Sequence, residues 1–236
     1  MLLENFFTFA FIACALGGIW YYFSNKKYKE TSYYNVTRKS FLQMRFNIGA
    51  YGEYLTYENL RSFETDGAKF LFNTYIPKQN GGTSEIDVMM ISTKGIFVFE
   101  SKNYSGWIYG NEYQDKWCQT IKPEKGKIKK SFFYNPIKQN RAHVYHLQAI
   151  IGKELPVYSI IVFSNRCILQ KIEVSDRYAR VTQRLNLADT VLDTYYMTTN
   201  DPISAERVQE LYYQLFPYTQ VNPETKQKHI TEIKKS

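Results

Sequence analysis

The chain is poor in cysteine. Three cysteines occur among its 236 residues, and one of them, Cys14, lies in an apolar N-terminal segment. Cys118 and Cys167 are far apart, and the chain contains no Cys-x-x-Cys pair. A disulfide framework and a cysteine zinc site both need more cysteines at closer spacing. The scarcity of cysteine therefore argues against both classes of protein and indicates a reducing compartment.

Charge is missing from a long stretch near the N-terminus. Residues 6–23, FFTFAFIACALGGIWYYF, carry no charged side chain, and a helix needs roughly 20 such residues to cross a bilayer. A cleaved signal peptide begins with a basic region, whereas the only charge before this run is Glu4. Lys26, Lys27 and Lys29 follow the run, and the positive-inside rule keeps them in the cytosol. We therefore predict a single-pass anchor in the cell membrane, with the N-terminus outside and the domain cytosolic. A buried core helix is the alternative, although a helix that is apolar on every side is rare in globular proteins.

The rest of the chain carries an excess of positive charge. Residues 1–30 contain three lysines and two glutamates, or +1 of the net charge of +8, so the remaining residues carry +7. A basic domain is typical of proteins that bind an anionic partner, either nucleic acid or a lipid surface. Ordinary solubilising charge explains the same balance, so composition alone does not separate these alternatives.

Apolar runs beyond residue 68 alternate with turns and helical patterns, which predicts a domain of mixed α/β class. Strands are predicted over 69–77, 85–92, 96–101, 116–121 and 156–164, and near 107–109. A helix is predicted from Asn135-Pro136 to Ile151, where Gly152 stops it. Later helices are predicted near 187–196 and between 202 and 217, and residues 122–130 are expected to form a basic loop.

Three charged residues are expected together at one edge of the sheet. Asp87 lies in one predicted strand, and Glu100 lies near the end of the next strand, across a tight turn. Glu100 and Lys102 are two residues apart, so they share a face of the strand. Two carboxylates suit a magnesium ion, which takes its other ligands from water and phosphate. A lysine beside them can orient a water or meet charge on a phosphate. A structural salt bridge between Glu100 and Lys102 is the alternative.

The wider pattern resembles a known family. The stretches GEYLTYENL from Gly52, EIDVMMISTKGIFVFESKNYSGWIYG from Glu85 and NPIKQNRAHV from Asn135 together look like the nuclease-related domain, called NERD, of the PD-(D/E)XK nuclease-like superfamily. The resemblance covers about residues 45–160. It implies an α/β fold with a restriction-endonuclease-like central mixed β-sheet flanked by helices, and it implies hydrolysis of phosphodiester bonds that depends on Mg²⁺ or Mn²⁺.

The resemblance also implies residue roles. Asp87 and Glu100 match the metal carboxylates, and Glu53, on the helix ahead of the sheet, matches an acid that supports the metal. Lys102 matches the catalytic lysine. Gln139 matches a polar residue of a later helix that lines the site, so Asp87, Glu100, Lys102 and Gln139 form the expected catalytic set.

Four other residues need separate interpretation. Glu85 is expected to face away from the site. His143, one helical turn after the glutamine of the catalytic set, is expected near it. Trp107 and Trp117 are expected in the core rather than as platforms on which bases stack.

Nucleic acid, with DNA as the expected substrate, is predicted to contact Asn103 and three lysines of the basic loop, Lys125, Lys127 and Lys129. The same loop could be solvated or could face anionic lipid. Two functions without catalysis stay open, a nucleic-acid-binding module and a membrane-anchored scaffold for protein contacts.

These inferences divide the chain into four parts. They are a transmembrane anchor (1–24), a juxtamembrane linker (25–44), a nuclease-like domain (45–217) and a polar C-terminal tail (218–236).

Overall fold

The computed structural model describes residues 2–79, 81–123, 126–176, 179–198 and 200–233. Within these ranges the chain forms eight α-helices and nine β-strands. The helices are α1 (Leu2–Lys29), α2 (Ser32–Thr37), α3 (Phe41–Phe46), α4 (Ile48–Leu60), α5 (Pro136–Ile151), α6 (Leu187–Met197), α7 (Ala205–Leu215) and α8 (Pro223–Ile233). The strands are β1 (Lys69–Pro77), β2 (Thr83–Ser92), β3 (Gly95–Lys102), β4 (Gly106–Asn111), β5 (Lys116–Ile121), β6 (Lys129–Tyr134), β7 (Val157–Phe163), β8 (Cys167–Glu173) and β9 (Ala179–Gln183). Short 3₁₀ helices cover Arg61–Asp66, Arg184–Asn186 and Phe216–Thr219.

The strands form two mixed sheets. The central sheet has the order β1-β2-β3-β7-β9, with antiparallel pairing among β1, β2 and β3 and parallel pairing among β3, β7 and β9. The second sheet has the order β6-β5-β4-β8 and is parallel only between β4 and β8. One central mixed sheet was expected from the sequence, and the structure adds a second. Strand β6 occupies part of the stretch that was expected to be a basic loop. Its side chains are almost all exposed, so it lacks the apolar alternation that reveals a strand.

Helices cover both faces of the central sheet. On one face, Tyr57 and Leu60 of α4 pack with Phe72 and Phe99. On the other face, α5 and α7 contribute to a second cluster of buried side chains, which also includes Val98 of β3. Burial on both faces explains why β1, β2, β3 and β7 read in the sequence as continuous apolar runs.

The segment that was expected to be a linker is packed against the domain. Tyr28, near the end of α1, is 1% exposed, and Tyr33 of α2 is fully buried. The ring of Tyr28 makes edge contacts with Phe41 and Tyr54, and its hydroxyl donates to the carbonyl of Lys39. The polar composition of 25–44 suggested a linker, but its aromatic residues bury enough surface to hold it in place.

Helix α1 is exposed over its apolar part. The segment Asn5–Lys29 is long and apolar enough to cross a membrane, judged by length and composition. Phe6, Phe9 and Phe11 are between 66% and 75% exposed. These three phenylalanine side chains therefore stay largely uncovered in the part of the chain that the structure describes.

The C-terminal segment was expected to be a loose tail, but it contains helix α8. The side chain of Asn222 accepts a hydrogen bond from the backbone N–H of Thr225, which caps the first turn. His229 on this helix is buried, and its ring makes an edge contact with Tyr75 of β1. The polar composition of this segment did not reveal that His229 is buried and holds the helix against the sheet.

The burial of Tyr28 predicts that a soluble chain starting at residue 25 loses stability when Tyr28 is replaced by Ala. Replacing a buried aromatic residue by alanine costs about 3–5 kcal/mol. Urea unfolding measures the difference, and Lys27→Ala, at an exposed neighbouring position, is the matched control. Equal stability of the two variants would contradict the packing of this segment.

Candidate active site

Strand β2 changes the direction of its side chains at Asp87. Ile86 packs in the cluster beneath α5 and α7, whereas Val88 packs in the cluster beneath α4. In a regular strand, residues two apart share a face. The ladder with β1 is interrupted at the same level, because the pairs Phe72–Val88 and Thr74–Ile86 flank it. Asp87 therefore lies between the two faces of the sheet.

The interruption of the ladder coincides with an unusual backbone conformation in β1. Asn73 has a φ of +48°, in the left-handed region that asparagine tolerates better than most residues. Across the sheet, Asp87 Oδ2 accepts a hydrogen bond of 2.8 Å from the backbone N–H of Ser101 in β3. This bond fixes the Asp87 carboxylate beside the end of β3, where Glu100 and Lys102 lie.

Lys102 lies between a carboxylate and an amide. Its Nζ donates to Glu100 Oε1 at 2.6 Å and to Gln139 Oε1 at 3.0 Å. Gln139 is on the first turn of α5, whose start is fixed by Asn135, since the side chain of Asn135 accepts from the N–H groups of Ile137 and Lys138. The helix cap thus determines where the amide meets the lysine.

The second oxygen of Glu100 is also held. His143 Nε2 lies 3.2 Å from Glu100 Oε2, and His143 Nδ1 lies 2.6 Å from Ser84 Oγ of β2. The structure thus places His143 beside the site, as its spacing from Gln139 predicted. The role of Ser84 was not predicted, because 59 residues separate it from His143.

Glu100 and Lys102 are held in their charged forms. Burial alone would raise the pKa of Glu100, but the Lys102 ammonium and the hydrogen bond from His143 outweigh it and lower the pKa to about 2. Burial alone would lower the pKa of Lys102, but the charges of Glu100 and Asp87 reverse this and raise it. The two residues therefore form a buried ion pair at neutral pH.

Asp87 behaves in the opposite way. Burial raises its pKa well above the usual range, and the negative charges of Glu100 and then Glu53 add to the effect. Lys102 and the hydrogen bond from Ser101 act against the rise without reversing it. The site therefore contains one carboxyl group that resists ionisation as long as no further cation is near.

Glu53 approaches the site from α4. Gly52 lets this helix come close to β3, because an added Cβ would lie 3.0 Å from the Cβ of Asn103. Glu53 Oε2 accepts hydrogen bonds from Tyr33 at 3.0 Å and from Asn73 at 2.8 Å. Neither of these two partners was foreseen, since each is 20 residues away in the chain.

Glu85 lies within electrostatic reach of Glu53 and Glu100, and its expected orientation away from the site stays a prediction. Burial raises its pKa, a hydrogen bond from Tyr75 lowers it, and the charges of Glu53 and Glu100 raise it further. His229 Nε2 lies 3.5 Å from Glu85 Oε2.

The residues predicted to contact nucleic acid have mixed positions. Asn103 is engaged within the protein, since its amide donates to the carbonyl of Ile48 at 2.8 Å and accepts from Arg166 at 3.0 Å. Lys127 is exposed in the loop, and Lys129 is exposed at the start of β6. Lys125 lies outside the described residues.

Two carboxylate oxygens of the site have no hydrogen-bond partner among the described residues. Within the described residues, no group of three or more His, Cys, Asp or Glu side chains is arranged so that it could hold a metal ion. Magnesium needs only one or two carboxylates, because it keeps several waters. No described residue donates a hydrogen bond to Asp87 Oδ1 or to Glu53 Oε1. Two oxygens in an excess of negative charge are therefore free to accept a ligand.

Comparison with known proteins assigns the family. Residues 48–164 match the model of the nuclease-related domain, NERD. An uncharacterized protein of Bacillus anthracis is 30% identical over 182 residues, which are 77% of this chain and 82% of that protein. The chain belongs to the NERD family. This confirms the resemblance found in the sequence, and the matched NERD region contains Glu53, Asp87, Glu100, Lys102 and Gln139. No solved structure matches the chain.

The raised pKa of Asp87 predicts that Asp87→Asn stabilises the metal-free protein at pH 7. The folded protein retains a proton that the unfolded chain releases above a pKa of about 4, so the free energy of unfolding falls as pH rises through the raised folded pKa. Asparagine removes this loss and can still accept from Ser101. The gain should vanish below about pH 4, where the carboxyl group is protonated in both states.

Thermal unfolding of both proteins in EDTA, at pH 7 and at acid pH, measures this effect. Asp193→Asn, at an exposed position on α6, is the matched control and should change little at either pH. A loss of stability at pH 7, or a gain that is the same at both pH values, would show that Asp87 is not under electrostatic strain.

Proposed function

We propose that the chain is a membrane-anchored, metal-dependent nuclease that hydrolyses phosphodiester bonds of nucleic acid in the cytosol. The observation that carries the proposal is the convergence of Asp87, Glu100 and Lys102 at the end of β3, where Asp87 accepts from the N–H of Ser101 at 2.8 Å and Lys102 donates to Glu100 at 2.6 Å and to Gln139 at 3.0 Å. The pKa of Asp87, raised by burial and by the charges of Glu100 and Glu53, supports it. Buried carboxylates that repel one another weaken a fold unless a cation joins them. Membership of the NERD family supports the same function.

A restriction-endonuclease-like fold is part of this proposal. The mixed central sheet and the helices on its two faces support it. Acidic residues collect where the pairing of β2 with β3 stops, since the last pair of this ladder is Val88–Phe99. Helix α4 brings Glu53 to this point, and α5 brings Gln139.

Magnesium, or manganese in its place, fits the chemistry of the site. Asp87 and Glu53, which each keep an oxygen without a hydrogen bond, would hold the ion, since carboxylate oxygens are the ligands that hard cations prefer. Glu100 was expected to be a third ligand, but its two oxygens are engaged by Lys102 and His143. When bound, the ion would supply Lewis acidity and a water activated for attack on phosphorus.

We assign to Lys102 the role of stabilising the negative charge that develops on the phosphate. Its ammonium is fixed by Glu100 and Gln139, and its raised pKa keeps it protonated at neutral pH. A donor that is already oriented stabilises developing charge without the cost of reorganisation. His143 acts as a positioning residue, since it holds the second oxygen of Glu100.

This assignment predicts that Lys102→Met lowers metal-dependent cleavage by a factor on the order of 10² or more for each folded molecule. The variant should also unfold more easily, because it leaves Glu100 buried without its partner. Lys102→Arg keeps the ion pair but replaces a compact ammonium by a planar fork, so it should restore stability better than activity.

Cleavage of labelled single- and double-stranded DNA and RNA, with Mg²⁺, with Mn²⁺ and with EDTA, measures activity, and unfolding curves give the folded fraction. Lys94→Met is the matched control, because Lys94 also pairs with a carboxylate, that of Asp201 at 3.0 Å. Equal cleavage by wild type and Lys102→Met at matched folded concentration would remove Lys102 from catalysis. Nucleic-acid binding without metal-dependent cleavage would favour the binding module, and neither property would favour the scaffold.

We propose further that residues 6–23 span the cell membrane, with the N-terminus outside. The exposed apolar side chains of α1 support this. Trp20 and Tyr21 of α1 make edge contacts with Phe41 of α3, which brings the body of the protein to the end of the apolar segment. Phe46 and Ile48, five and seven residues after Phe41 in the chain, are 80% and 73% exposed, as suits a surface that touches lipid.

The anchor predicts that the full-length protein stays with membranes during extraction at high salt and is released by detergent. Protease added to intact cells should leave the domain uncut, whereas protease added to inverted vesicles should cut it. Replacing Ala13 and Leu16 by Arg should release the protein, since charge is costly inside the bilayer. Recovery of wild type in the soluble fraction without detergent would contradict the anchor.

A further inference from the structure

The second sheet has an inner and an outer face. Trp117 of β5 is fully buried and stacks on Phe163 of β7, which marks the inner face. Its neighbours in β5, Lys116 and Cys118, must point outward, because side chains alternate along a strand. Trp117 was expected in the core and lies there.

The outer face carries four aromatic side chains. Cys118 pairs with Tyr109 of β4 and with Phe132 of β6, and residues directly opposite one another share a face. Alternation along β4 and β6 adds Trp107 and Tyr134. The aromatic face is hereafter the outer surface formed by Trp107, Tyr109, Phe132 and Tyr134. Trp107 was expected in the core, but it is half-buried and lies on this face.

The rings of the aromatic face are open to a ligand. Phe132 is 68% exposed and Tyr134 is 54% exposed. Within the described residues, none of the four rings packs against another aromatic ring, whereas most other aromatic residues of the chain do. A cavity of about 230 Å³ opens between Tyr109 and Phe132. Large aromatic surface is rarely left uncovered on a strand without a binding role.

Positive charge surrounds these rings. Lys116 lies opposite Tyr134, Lys130 precedes Phe132 by two residues on the same face, and Lys171 of β8 lies opposite Tyr109. One acid, Glu173, also lies on this face and is 3.4 Å from Lys171. Three lysines against one glutamate leave a net charge of +2.

We propose that the aromatic face binds single-stranded nucleic acid, with unpaired bases stacked on its rings and phosphates contacting Lys116 and Lys130. Aromatic platforms inside a basic groove bind single strands without reading sequence. Bases in a duplex already stack on each other, so a flat sheet face gains little from them. An apolar protein partner would leave both lysines without counter-charges, which disfavours that occupant.

The aromatic face lies close to the candidate active site along the chain. Strand β4 begins four residues after Lys102, and β6 ends five residues before Gln139. Four residues span at most about 14 Å. The inference rests on the proposed function in one respect, namely that the strand held here is the substrate of the site.

The test is fluorescence anisotropy with the full-length protein in detergent micelles and EDTA, so that binding is measured without cleavage. The probes are oligothymidine, oligouridine, an abasic strand of equal length and a duplex. Loss of stacking should make the abasic strand and the duplex bind about tenfold more weakly than oligothymidine. Phe132→Ala with Tyr134→Ala should weaken oligothymidine binding about tenfold or more and leave abasic binding unchanged.

The matched control is Tyr196→Ala on α6, since Tyr196 is 81% exposed and lies outside the aromatic face; it should bind like wild type. Equal binding of abasic and base-containing strands, or no effect of the double variant, would overturn the inference. A smaller particle mass of the double variant by light scattering, with oligothymidine binding unchanged, would instead assign the face to contacts between copies of the chain. If single strands bind as expected but wild type never cleaves them with metal, the aromatic face is a binding site for single strands and the nuclease proposal is wrong.

Discussion

The cost of burying negative charge at one edge of the central sheet governs the arrangement around it. Glu53 and Glu100 lie within electrostatic reach of both Glu85 and Asp87. Buried charges of like sign destabilise a fold unless they are neutralised or paired. The protein uses an ion pair with Lys102, hydrogen bonds to neutral donors such as Tyr33 and Asn73, and a raised pKa at Asp87. Lys39, 3.7 Å from Glu53, adds a further positive charge.

Each of these means depends on a different part of the fold. The ion pair needs the end of β3, and its geometry is completed by Gln139 and His143, one turn apart on α5. The neutral donors come from α2 and β1, on the opposite face. Asp87 lies between the two sets because β2 turns its side chains at that residue. Local irregularity in β1 and β2 is therefore what joins two separate groups of polar residues into one site.

The sequence predicted those elements that have a strong local pattern. Strand β1 has the bounds that its apolar run and Pro77 predicted, and α5 begins and ends where Asn135 and Gly152 predicted. Strand β6 and helix α8 escaped prediction, because each exposes most of the side chains that the structure describes and so shows little periodicity.

The same contrast applies to the site. A pattern of two strands and a turn was enough to bring Asp87, Glu100 and Lys102 together, because strand alternation is a local rule. Ser84 and Tyr33 could not be found in this way, because each meets its partner only through packing of distant segments. The role of Asn73 could not be predicted either, because it depends on a left-handed backbone conformation, which asparagine adopts only occasionally.

The charge balance also bears on how the protein exists without metal. Lys102 already supplies one positive charge to Glu100, and a proton on Asp87 would remove a second negative charge. The metal-free site is therefore partly neutralised by the chain itself, and folding does not have to wait for a cation. Under the proposed function, a metal cation that binds Asp87 must displace this proton. The affinity of the site for the cation would therefore rise with pH until Asp87 is fully ionised. Under this proposal, ionisation of Asp87 affects both the stability of the metal-free protein and its affinity for metal. Lys102 stays charged at neutral pH and so does not couple these two properties in the same way.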